Sequence, residues 1–543
     1  MRRGSPRSAA RIAGALCATL AGALACAHQA VAGSSESGTR THVSWPKGVA
    51  VVGYRSESAL RAALALEPGR IVRRIPALRA VEVRPERSLA GFAARVGALP
   101  GIAYVERLEL RGAAVEPALR LSPFQPGALE WQYAATRADS VPAWALRAAS
   151  AVTIAVIDTG ADLTAPDLAA KSPAAHDVNT HAADVEDTNG HGTFVASLAA
   201  GSVTNDEGIA GFGGDSRLLV IKAGGPSGTI SDLDEANAIV YAVDHGARVV
   251  NLSFGGPATS ATEQRAIDYA VERGALLVAA AGNEYETGNP AAYPAALLQP
   301  VGSNGQGGPG LAVGAATSAG TRAPFSNTGS YISLAAPGES VFGAVSSLSP
   351  PGAYPRVPLP GSRAGQYGFG SGTSFAAPQV AGAAALVWGV NPALAAADVA
   401  RILEETAQGR GAWSPELGFG VLDVAAAVAR ATATAPGTPR AGRAASSLRL
   451  SSSRTSGRAP LRVELTATLR SPGPGVSTTS RTVVLESFDG RRWHREAAAR
   501  TTERGTLALG LSLARGSYRI RARFAGADDL AAAVSRPLVL LSR

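Results

Sequence analysis

Three stretches of this 543-residue sequence carry residue types that could together transfer an acyl group. Asp158 ends the apolar run VTIAVID, His191 stands in NGHGTFVAS, and Ser374 stands in GSGTSFAAP. A serine hydroxyl is a useful nucleophile only when a base accepts its proton and a third group orients that base. Aspartate, histidine and serine are together the set that such catalysis needs.

Each of the three residues is predicted at the end of a secondary structure element. Asp158 would project from the carboxyl edge of a sheet, where sheets of this kind place ligands. His191 begins a helix between two glycines that leave room for a substrate backbone. Ser374 heads a helix of small residues, with its hydroxyl and N–H at the positive end of the helix dipole. Each residue alone is more typical of a turn or a helix cap, but their joint occurrence favours catalysis.

Residues 128–430 are predicted to form the α/β domain that positions these groups. Ser231 and Ser260 are each followed three residues later by Asp or Glu, the spacing of a helix-capping box, and Gly246 and Gly274 are placed to end the same two helices. Continuous apolar strands between helices indicate a parallel sheet covered on both faces. The predicted strands are 152–158, 217–223, 248–254, 275–283 and 311–317.

Two smaller regions flank this domain. Residues 48–110 read as strand, helix, strand, strand, helix, strand, a small α+β module, and residues 111–127 are predicted to be an exposed linker. Residues 431–445 form a second linker, rich in Ala, Pro, Gly and Arg. In 446–543 the apolar period falls to two, which predicts an antiparallel, immunoglobulin-like β-sandwich.

The first 32 residues have the pattern of a signal peptide. Arginines precede an Ala/Leu-rich stretch, and Ala30-Val31-Ala32 is a small-x-small cleavage site. Both cysteines, Cys17 and Cys26, lie in this leader. We therefore expect a secreted, extracellular protein without a membrane span; the alternative is a lipid anchor at Cys26.

Charge is distributed unevenly along the chain. The net charge of +9 combines an acidic central domain with basic ends, and residues 431–543 hold 19 basic against 7 acidic side chains. In YRIRARF (518–524) the apolar side chains should face a core and the arginines should face outward. An anionic cell-surface polymer is one candidate partner for this basic region, and a solvated strand face is the alternative.

Taken together, the motifs DTG (158–160), HGT (191–193) and GTSxAxP (372–378) resemble those of the subtilases, the subtilisin-like serine proteases. The resemblance covers about 131–430 and includes the chain order Asp, His, Ser. It implies that Asp158 is the orienting acid, His191 the general base and Ser374 the nucleophile. It also implies that Asn283, in VAAAGNEY, supplies a side-chain donor to the oxyanion hole.

The same resemblance implies a cleft for protein and peptide substrates. Ala292 would lie at the base of the primary pocket, where a small neutral residue favours an apolar or aromatic substrate side chain, and Glu284 would make the rim acidic. We expect broad endopeptidase specificity. The implied substrate-binding residues are Ser227, Gly228 and Thr229 on an edge strand, Ser253, Phe254 and Gly255 on one wall, Ala280, Ala281 and Gly282 on the other, and Ala292.

Further expectations concern a metal, the flanking modules and departures from the family pattern. No cofactor is expected for catalysis, but the resemblance implies a structural calcium bound by the side chains of Asp167 and Asn205 and completed by backbone carbonyls. The carbonyls are those of Val203, Glu207 and Ile209. The sequence departs from the common pattern after HGT, where His gives way to Phe194, and after the nucleophile, where Met gives way to Phe375.

The module at 48–110, which ends in PGIAYVERL and lies in the propeptide and linker region 33–127, resembles the inhibitory propeptide of the family; the alternative is a permanent N-terminal domain. As an intramolecular inhibitor this region would be cleaved autocatalytically between about 111 and 128, and we expect the product to be a monomer. Two rival functions remain open. One is a non-catalytic adhesin built on a protease fold, which the intact triad disfavours. The other is an esterase, although the serine lacks a GxSxG elbow.

Overall fold

The computed structural model describes residues 48–113, 129–205, 207–357, 366–434, 446–471, 477–479, 481–488, 493–524 and 533–543. The predicted signal peptide with both cysteines, most of the first predicted linker and all but the start of the second therefore lie outside the described residues.

The N-terminal module has the predicted order of elements. Its four-stranded sheet has the order β2-β3-β1-β4. The second strand ends at Ile75, because Pro76–Leu78 forms a 3₁₀ turn. The elements are β1 (Ala50–Tyr54), α1 (Glu57–Leu66), β2 (Gly69–Ile75), β3 (Ala80–Pro85), α2 (Leu89–Gly97), β4 (Ile102–Glu106) and a separate strand, β5 (Leu110–Ala113).

The central domain is built on a parallel sheet, as the apolar strands predicted. Its helices and strands are α3 (Trp131–Ala135), α4 (Ala143–Ala148), β6 (Thr153–Asp158), α5 (Pro166–Ala169), β7 (Ala174–Asp177), α6 (His191–Ala200), β8 (Arg217–Lys222), β9 (Thr229–Ser231), α7 (Asp232–Asp244), β10 (Ala247–Leu252), β11 (Phe254–Gly255), α8 (Ala261–Glu272), β12 (Leu276–Ala280), α9 (Ala295–Leu298), β13 (Gly310–Ala316), β14 (Leu334–Pro337), β15 (Val341–Ala344), β16 (Tyr367–Gly370), α10 (Thr373–Val390), α11 (Ala396–Thr406) and α12 (Val424–Ala433).

Seven strands pair in parallel in the order β14-β13-β12-β10-β6-β8-β7 within the described chain. Successive residues of the central strand β6 face opposite sides. Ile154 and Val156 pack with helices α6 and α10, whereas Ala155 and Ile157 pack with α7 and α8. The sheet is therefore covered on both faces, and its strand order reverses beside β6, which ends in Asp158.

Helix boundaries follow the capping signals in the sequence. The Ser231 hydroxyl accepts from the Asp234 N–H, and Ser260 and Glu263 form a complete capping box. Gly246 and Gly274 follow the two helices with φ of +83° and +77°, a conformation that side chains disfavour. Among the described residues one helix, Thr373–Val390, is long and apolar enough to cross a membrane, and it is 89% buried inside the fold.

Two strands at the sheet edges, β7 and β14, were absent from the predicted set. Each has only four residues, AAHD and LAAP, and neither has the β-branched run that marks the inner strands. Their pairing depends on neighbours distant in the chain, so local sequence gives little signal for them.

The expectation of a linker from residue 111 is wrong for its first three residues, which belong to strand β5. Strand β5 lies between β9 and β11 in a three-stranded antiparallel sheet, and Arg111 is only 1% exposed. Strands β9 and β11 of the central domain hold this segment between them through main-chain hydrogen bonds. Residues 114–127 lie outside the described part of the chain.

The C-terminal region forms two β-sheets around one apolar cluster. Ile520, Ala522 and Phe524 face this core as predicted. The pairing is antiparallel except for β18 with β25. The strands are β17 (Ser447–Ser452), β18 (Ser456–Gly457), β19 (Leu461–Arg470), β20 (Thr482–Phe488), β21 (Trp493–Arg500), β22 (Thr506–Leu513), β23 (Gly516–Phe524), β24 (Ala533–Val534) and β25 (Leu538–Ser542).

Candidate active site

Asp158 and His191 form a buried hydrogen-bonded pair. Asp158 ends β6 and His191 is the first residue of α6, and each is 1% exposed. His191 Nδ1 lies 2.7 Å from Asp158 Oδ1. An ionised carboxylate can only accept, so Nδ1 carries the proton of this bond. In the neutral ring Nε2 is then the basic nitrogen, which is the tautomer that a general base needs.

Asp187 fixes the start of the histidine helix. Its carboxylate accepts from the Thr159 hydroxyl at 2.8 Å, from the Gly190 N–H at 2.8 Å, and from the N–H and hydroxyl of Thr193 at 2.8 and 2.6 Å. It is fully buried. Sequence reasoning missed this residue, although an acidic side chain just before a helix is a recognisable cap signal.

Gly192 is required where the two motifs meet. A Cβ at this position would lie 2.1 Å from the carbonyl oxygen of Gly160, which is far closer than atoms can approach. Gly160 and Gly192 together therefore let α6 approach the end of β6 closely enough for the Asp158–His191 hydrogen bond to form.

Ser374 lies at the start of α10 and is fully buried. Its hydroxyl donates to the carbonyl oxygen of Ser253 at 3.0 Å, and the Ser253 hydroxyl donates back to the Ser374 carbonyl at 2.8 Å. The ring of the next residue, Phe375, lies 5.6 Å from the His191 ring, measured between centroids. The fold thus brings the sequence-distant serine and histidine into one neighbourhood.

The two departures from the family pattern contact each other. The rings of Phe194 and Phe375 have centroids 4.4 Å apart, and both residues are fully buried. Because one follows the histidine motif and the other follows Ser374, their packing joins α6 to α10 beside the site. The two departures from the family pattern, Phe194 and Phe375, therefore form a single apolar contact.

Asn283 lies beside the start of α10. Its Oδ1 accepts from the N–H and from the hydroxyl of Thr373, each at 2.9 Å. A backbone N–H can only donate, so this network places the oxygen there and turns the amide nitrogen to the other side. That nitrogen points toward Gly372, at 3.2 Å from where a Cβ of Gly372 would stand. Asn283 thus has its NH₂ next to Gly372, two residues before Ser374.

A cavity of about 260 Å³ opens beside Asn283, whose chain neighbours Gly282 and Glu284 line it. Of the residues predicted on its walls and base, Ser253 and Ala281 do not line it. Ser253 instead bonds Ser374, and the Ala281 carbonyl accepts from the Tyr331 hydroxyl. The lining residues are Gly112, Phe254, Gly255, Gly256, Pro257, Ala280, Gly282, Glu284, Pro290, Ala291 and Ala292.

Glu284 lies in the wall of this cavity and not only at its rim. Its Oε2 accepts from the Asn283 N–H at 2.8 Å and from the Asn327 amide at 3.1 Å. The remaining lining is glycine, alanine, proline and Phe254. The cavity is therefore mostly apolar with one half-buried carboxylate.

Of the three residues predicted on the edge strand, Thr229 belongs to a strand, β9, and the edge of that strand is paired with another segment of the chain. Thr229 begins β9 and pairs with Gly112, while Ser227 and Gly228 form the turn that precedes it. On the other side Gly255 also pairs with Gly112. An extended peptide segment therefore lies in the cleft, bound through its backbone in the manner of β-augmentation.

The residues predicted for calcium are near one another. The fully buried Asp167 carboxylate accepts from the Asn205 amide nitrogen at 3.0 Å and from the Tyr367 hydroxyl at 2.9 Å. Burial raises the pKa of Asp167 to about 6. Val203, Glu207 and Ile209 lie in the adjoining loop, and the Ile209 backbone also bonds Asp167. Among the described residues no group of three or more acidic, His or Cys side chains is placed to hold a metal.

Comparison with known proteins agrees with this geometry. A model of the subtilase family matches residues 149–420, and a model of the fervidolysin N-terminal prodomain matches residues 33–107. The thermophilic serine proteinase of Bacillus sp. (strain AK1) is 38% identical over 260 residues, 47% of this chain and 57% of that protein. Thermitase of Thermoactinomyces vulgaris is 33% identical over 287 residues, 53% of this chain and 91% of that protein.

A solved structure shares the fold over most of the length. The crystal structure of fervidolysin from Fervidobacterium pennivorans, a keratinolytic enzyme related to subtilisin, superposes with a TM-score of 0.62 at 21% identity. The match covers 88% of this chain and 87% of that one. The chain belongs to the subtilase family and is a subtilisin-like serine endopeptidase with an N-terminal prodomain.

Proposed function

We propose that this chain is a secreted endopeptidase that hydrolyses peptide bonds with Ser374 as nucleophile, His191 as general base and Asp158 as orienting acid. The observation that carries the proposal is the buried Asp158–His191 pair, next to Ser374 at the end of a cleft that already holds a strand of peptide. Hydrolysis of casein by the purified protein tests it.

The chemistry follows from these positions. The Ser374 hydroxyl leaves the Ser253 carbonyl, transfers its proton to His191 Nε2 and attacks the substrate carbonyl carbon. The Asn283 amide and the Ser374 N–H stabilise the resulting oxyanion. His191 then protonates the leaving amine, and water releases the acyl group from Ser374 by the same steps in reverse.

Removing the Asn283 amide should slow the chemical step. An Asn283→Ala variant is expected to lose about 100- to 1,000-fold in kcat with little change in KM, because the donor acts on charge that develops only in the transition state; this magnitude is the one known for the corresponding asparagine of subtilisin. Steady-state kinetics on a peptide anilide measures both constants. An Asn289→Ala variant on the same loop is the control, and a tenfold or smaller loss in Asn283→Ala would contradict the assignment.

We propose that the N-terminal module is an intramolecular inhibitor removed by self-cleavage. Glu106 supports this function, since its carboxylate accepts from the N–H groups of Ala261 and Thr262 and so caps α8 of the central domain. The Arg265 guanidinium donates in turn to the Leu78 carbonyl. With β5 in the cleft, the module would block substrates until it is cut.

The primary pocket supports a preference for apolar side chains. Its lining is mainly glycine, alanine and proline, with Phe254 on one wall. The Glu284 carboxylate, held by two hydrogen bonds, also allows a basic residue to enter. Broad cleavage after apolar and aromatic residues stays a prediction.

We propose a structural calcium at Asp167. The fit rests on a buried carboxylate whose described hydrogen-bond partners are neutral, beside a loop of backbone carbonyls. The Asn205 amide now presents its nitrogen, so a cation there requires the amide to turn its oxygen inward. Calcium would tie the 203–209 loop to α5 and would take no part in peptide hydrolysis.

Calcium should accordingly raise thermal stability. At about 100 times its Kd the ion should raise Tm by about 5 °C or more over the same protein in chelator. Differential scanning calorimetry on the Ser374→Ala protein measures this without self-digestion. Asp167→Asn should lose the response, with Asp162→Asn as the control, and an equal Tm with and without calcium would contradict the site.

We also propose that the leader sequence directs export and that the C-terminal region is an immunoglobulin-like domain. Export rests on the leader sequence, and the immunoglobulin-like architecture rests on the two packed C-terminal sheets. Glu486 accepts from both Arg521 and Arg523 at 2.8 Å, so part of the positive strand face is compensated locally. Binding of an anionic polymer by this region stays a prediction.

A further inference from the structure

Arg111 is a fully buried cation in the strand that occupies the cleft. Its side chain has no exposed surface. The Nε lies 3.1 Å from a Glu235 carboxylate oxygen, and a terminal nitrogen lies 2.6 Å from a Glu263 carboxylate oxygen. A further N–H donates to the Ala258 carbonyl. One guanidinium is thus held by two carboxylates that are themselves fully buried.

The carboxylates belong to the central domain and not to the prodomain. Glu235 lies in the first turn of α7 and Glu263 in the first turn of α8, and Asp232 begins α7 beside them. These three residues are the acidic pocket. Burial and the charge of Glu263 raise the pKa of Glu235 well above its usual range, and burial raises that of Glu263. To stay ionised, carboxylates placed this way need a cation, because buried unpaired charge is costly.

Removal of the prodomain would take that cation away. Arg111 is the cation that these two carboxylates contact, and it leaves with the segment that ends in β5. The mature enzyme would keep the acidic pocket in its cleft without its partner. A guanidinium from another peptide has the right shape and charge to replace it, since its planar fork can bond two carboxylates at once.

The register of β5 places this pocket relative to the reacting serine. Gly112 pairs with Gly255, and Ala113 pairs with Phe254. In a substrate that follows the same register, the next residue is opposite Ser253, whose carbonyl oxygen lies 3.0 Å from the Ser374 hydroxyl. The side chain in the position of Arg111 then belongs to the fourth residue counted back from the cleaved bond.

We propose that the acidic pocket is a substrate subsite that selects arginine at the fourth residue before the cleaved bond, and that Arg111 is its internal ligand in the precursor. The inference rests on the proposed endopeptidase function and adds to it a second specificity determinant, separate from the apolar primary pocket. Lysine binds there less well, because a single ammonium cannot bond both carboxylates in the same geometry.

The test compares two peptides that differ only in charge. Acetyl-Arg-Gly-Ala-Phe and acetyl-citrulline-Gly-Ala-Phe, each joined to a fluorogenic amine, are assayed with mature wild-type enzyme. Citrulline keeps the length and planar shape of arginine without its charge. We expect kcat/KM to be about 30-fold or more higher for the arginine peptide. Equal cleavage of both peptides would overturn the inference and would leave the endopeptidase function intact.

Variants assign the effect to the pocket. Glu235→Gln with Glu263→Gln should bring the arginine-to-citrulline ratio to within about threefold, whereas Glu272→Gln, an exposed position on the same helix α8, should keep the wild-type ratio. If the double variant fails to mature, the wild-type ratio alone decides. An unchanged ratio in a matured double variant would mean that the pair only anchors the prodomain. Cleavage of neither peptide, nor of casein, would instead refute the proposed function itself.

Discussion

A Ser374→Ala variant is expected to stay full length and to leave casein intact. The hydroxyl is the attacking group in the proposed mechanism, and removal of the nucleophile in the related subtilisin lowers kcat by about 10⁶-fold. Self-cleavage uses the same group, so the prodomain should stay attached. Intact-mass measurement and N-terminal sequencing of the variant and of wild type show whether the prodomain has been removed. Casein hydrolysis measures the activity of both proteins.

The variant must be shown to be folded. Mature wild-type enzyme added in trace amount should cut Ser374→Ala between about residues 111 and 128, because the substitution leaves the sequence of that segment unchanged. Removal of the prodomain from purified Ser374→Ala without added enzyme would contradict the role of Ser374. Wild type that stays full length and inert would favour the adhesin reading.

An Asp158→Asn variant is expected to lose about 10⁴-fold in kcat. The asparagine can keep the shape of the site, but its NH₂ would donate to His191 Nδ1 and drive the proton to Nε2. The base would then lack a lone pair toward Ser374; the size of the loss is that known for the equivalent change in a serine protease of another fold. Because such a variant matures too slowly by itself, trace wild-type enzyme followed by its removal supplies the processed form.

The control for this change is Asp184→Asn, which alters an exposed carboxylate in the loop before α6. It should keep activity within about twofold of wild type. A loss smaller than tenfold in Asp158→Asn would show that the Asp158–His191 hydrogen bond is not needed for the base to work.

Much of the fold of the central domain could be predicted from local sequence patterns. Five apolar runs became inner strands of the sheet, and serine–acid pairs set the starts of α7 and α8. These features depend on residues within one element or one helical turn, so periodicity and capping chemistry reveal them. The motif residues Asp158 and His191 also lie at the predicted element ends.

The features that sequence could not reveal depend on contacts between distant segments. From sequence alone Arg111 is predicted to be a linker residue. Its ion pairs are with Glu235 and Glu263, which lie more than 120 positions away in the chain. The edge strands β7 and β14 likewise form only against a completed sheet. Asp187 is intermediate, since its sequence position suggests a cap but its bonds to Thr159 do not follow from it.

Polar contacts with the central domain hold the prodomain in the precursor. Glu106, Arg265 and Arg111 join the prodomain to α7 and α8 by three separate polar contacts. Glu106 and Arg111 both contact the start of α8, and Arg265 belongs to the same helix. Cleavage after β5 would release the cleft end of the segment while the other contacts persist, so inhibition should outlast the first cut.

The most direct test of the central claim is stoichiometric labelling of mature wild-type enzyme with diisopropyl fluorophosphate, followed by peptide mass spectrometry. The reagent reacts with a serine only when the folded site activates it. We predict one label per chain, on Ser374, with complete loss of casein hydrolysis and no label on heat-denatured protein. A label on another residue, or casein hydrolysis that persists after Ser374 is fully labelled, would contradict the assignment of the nucleophile.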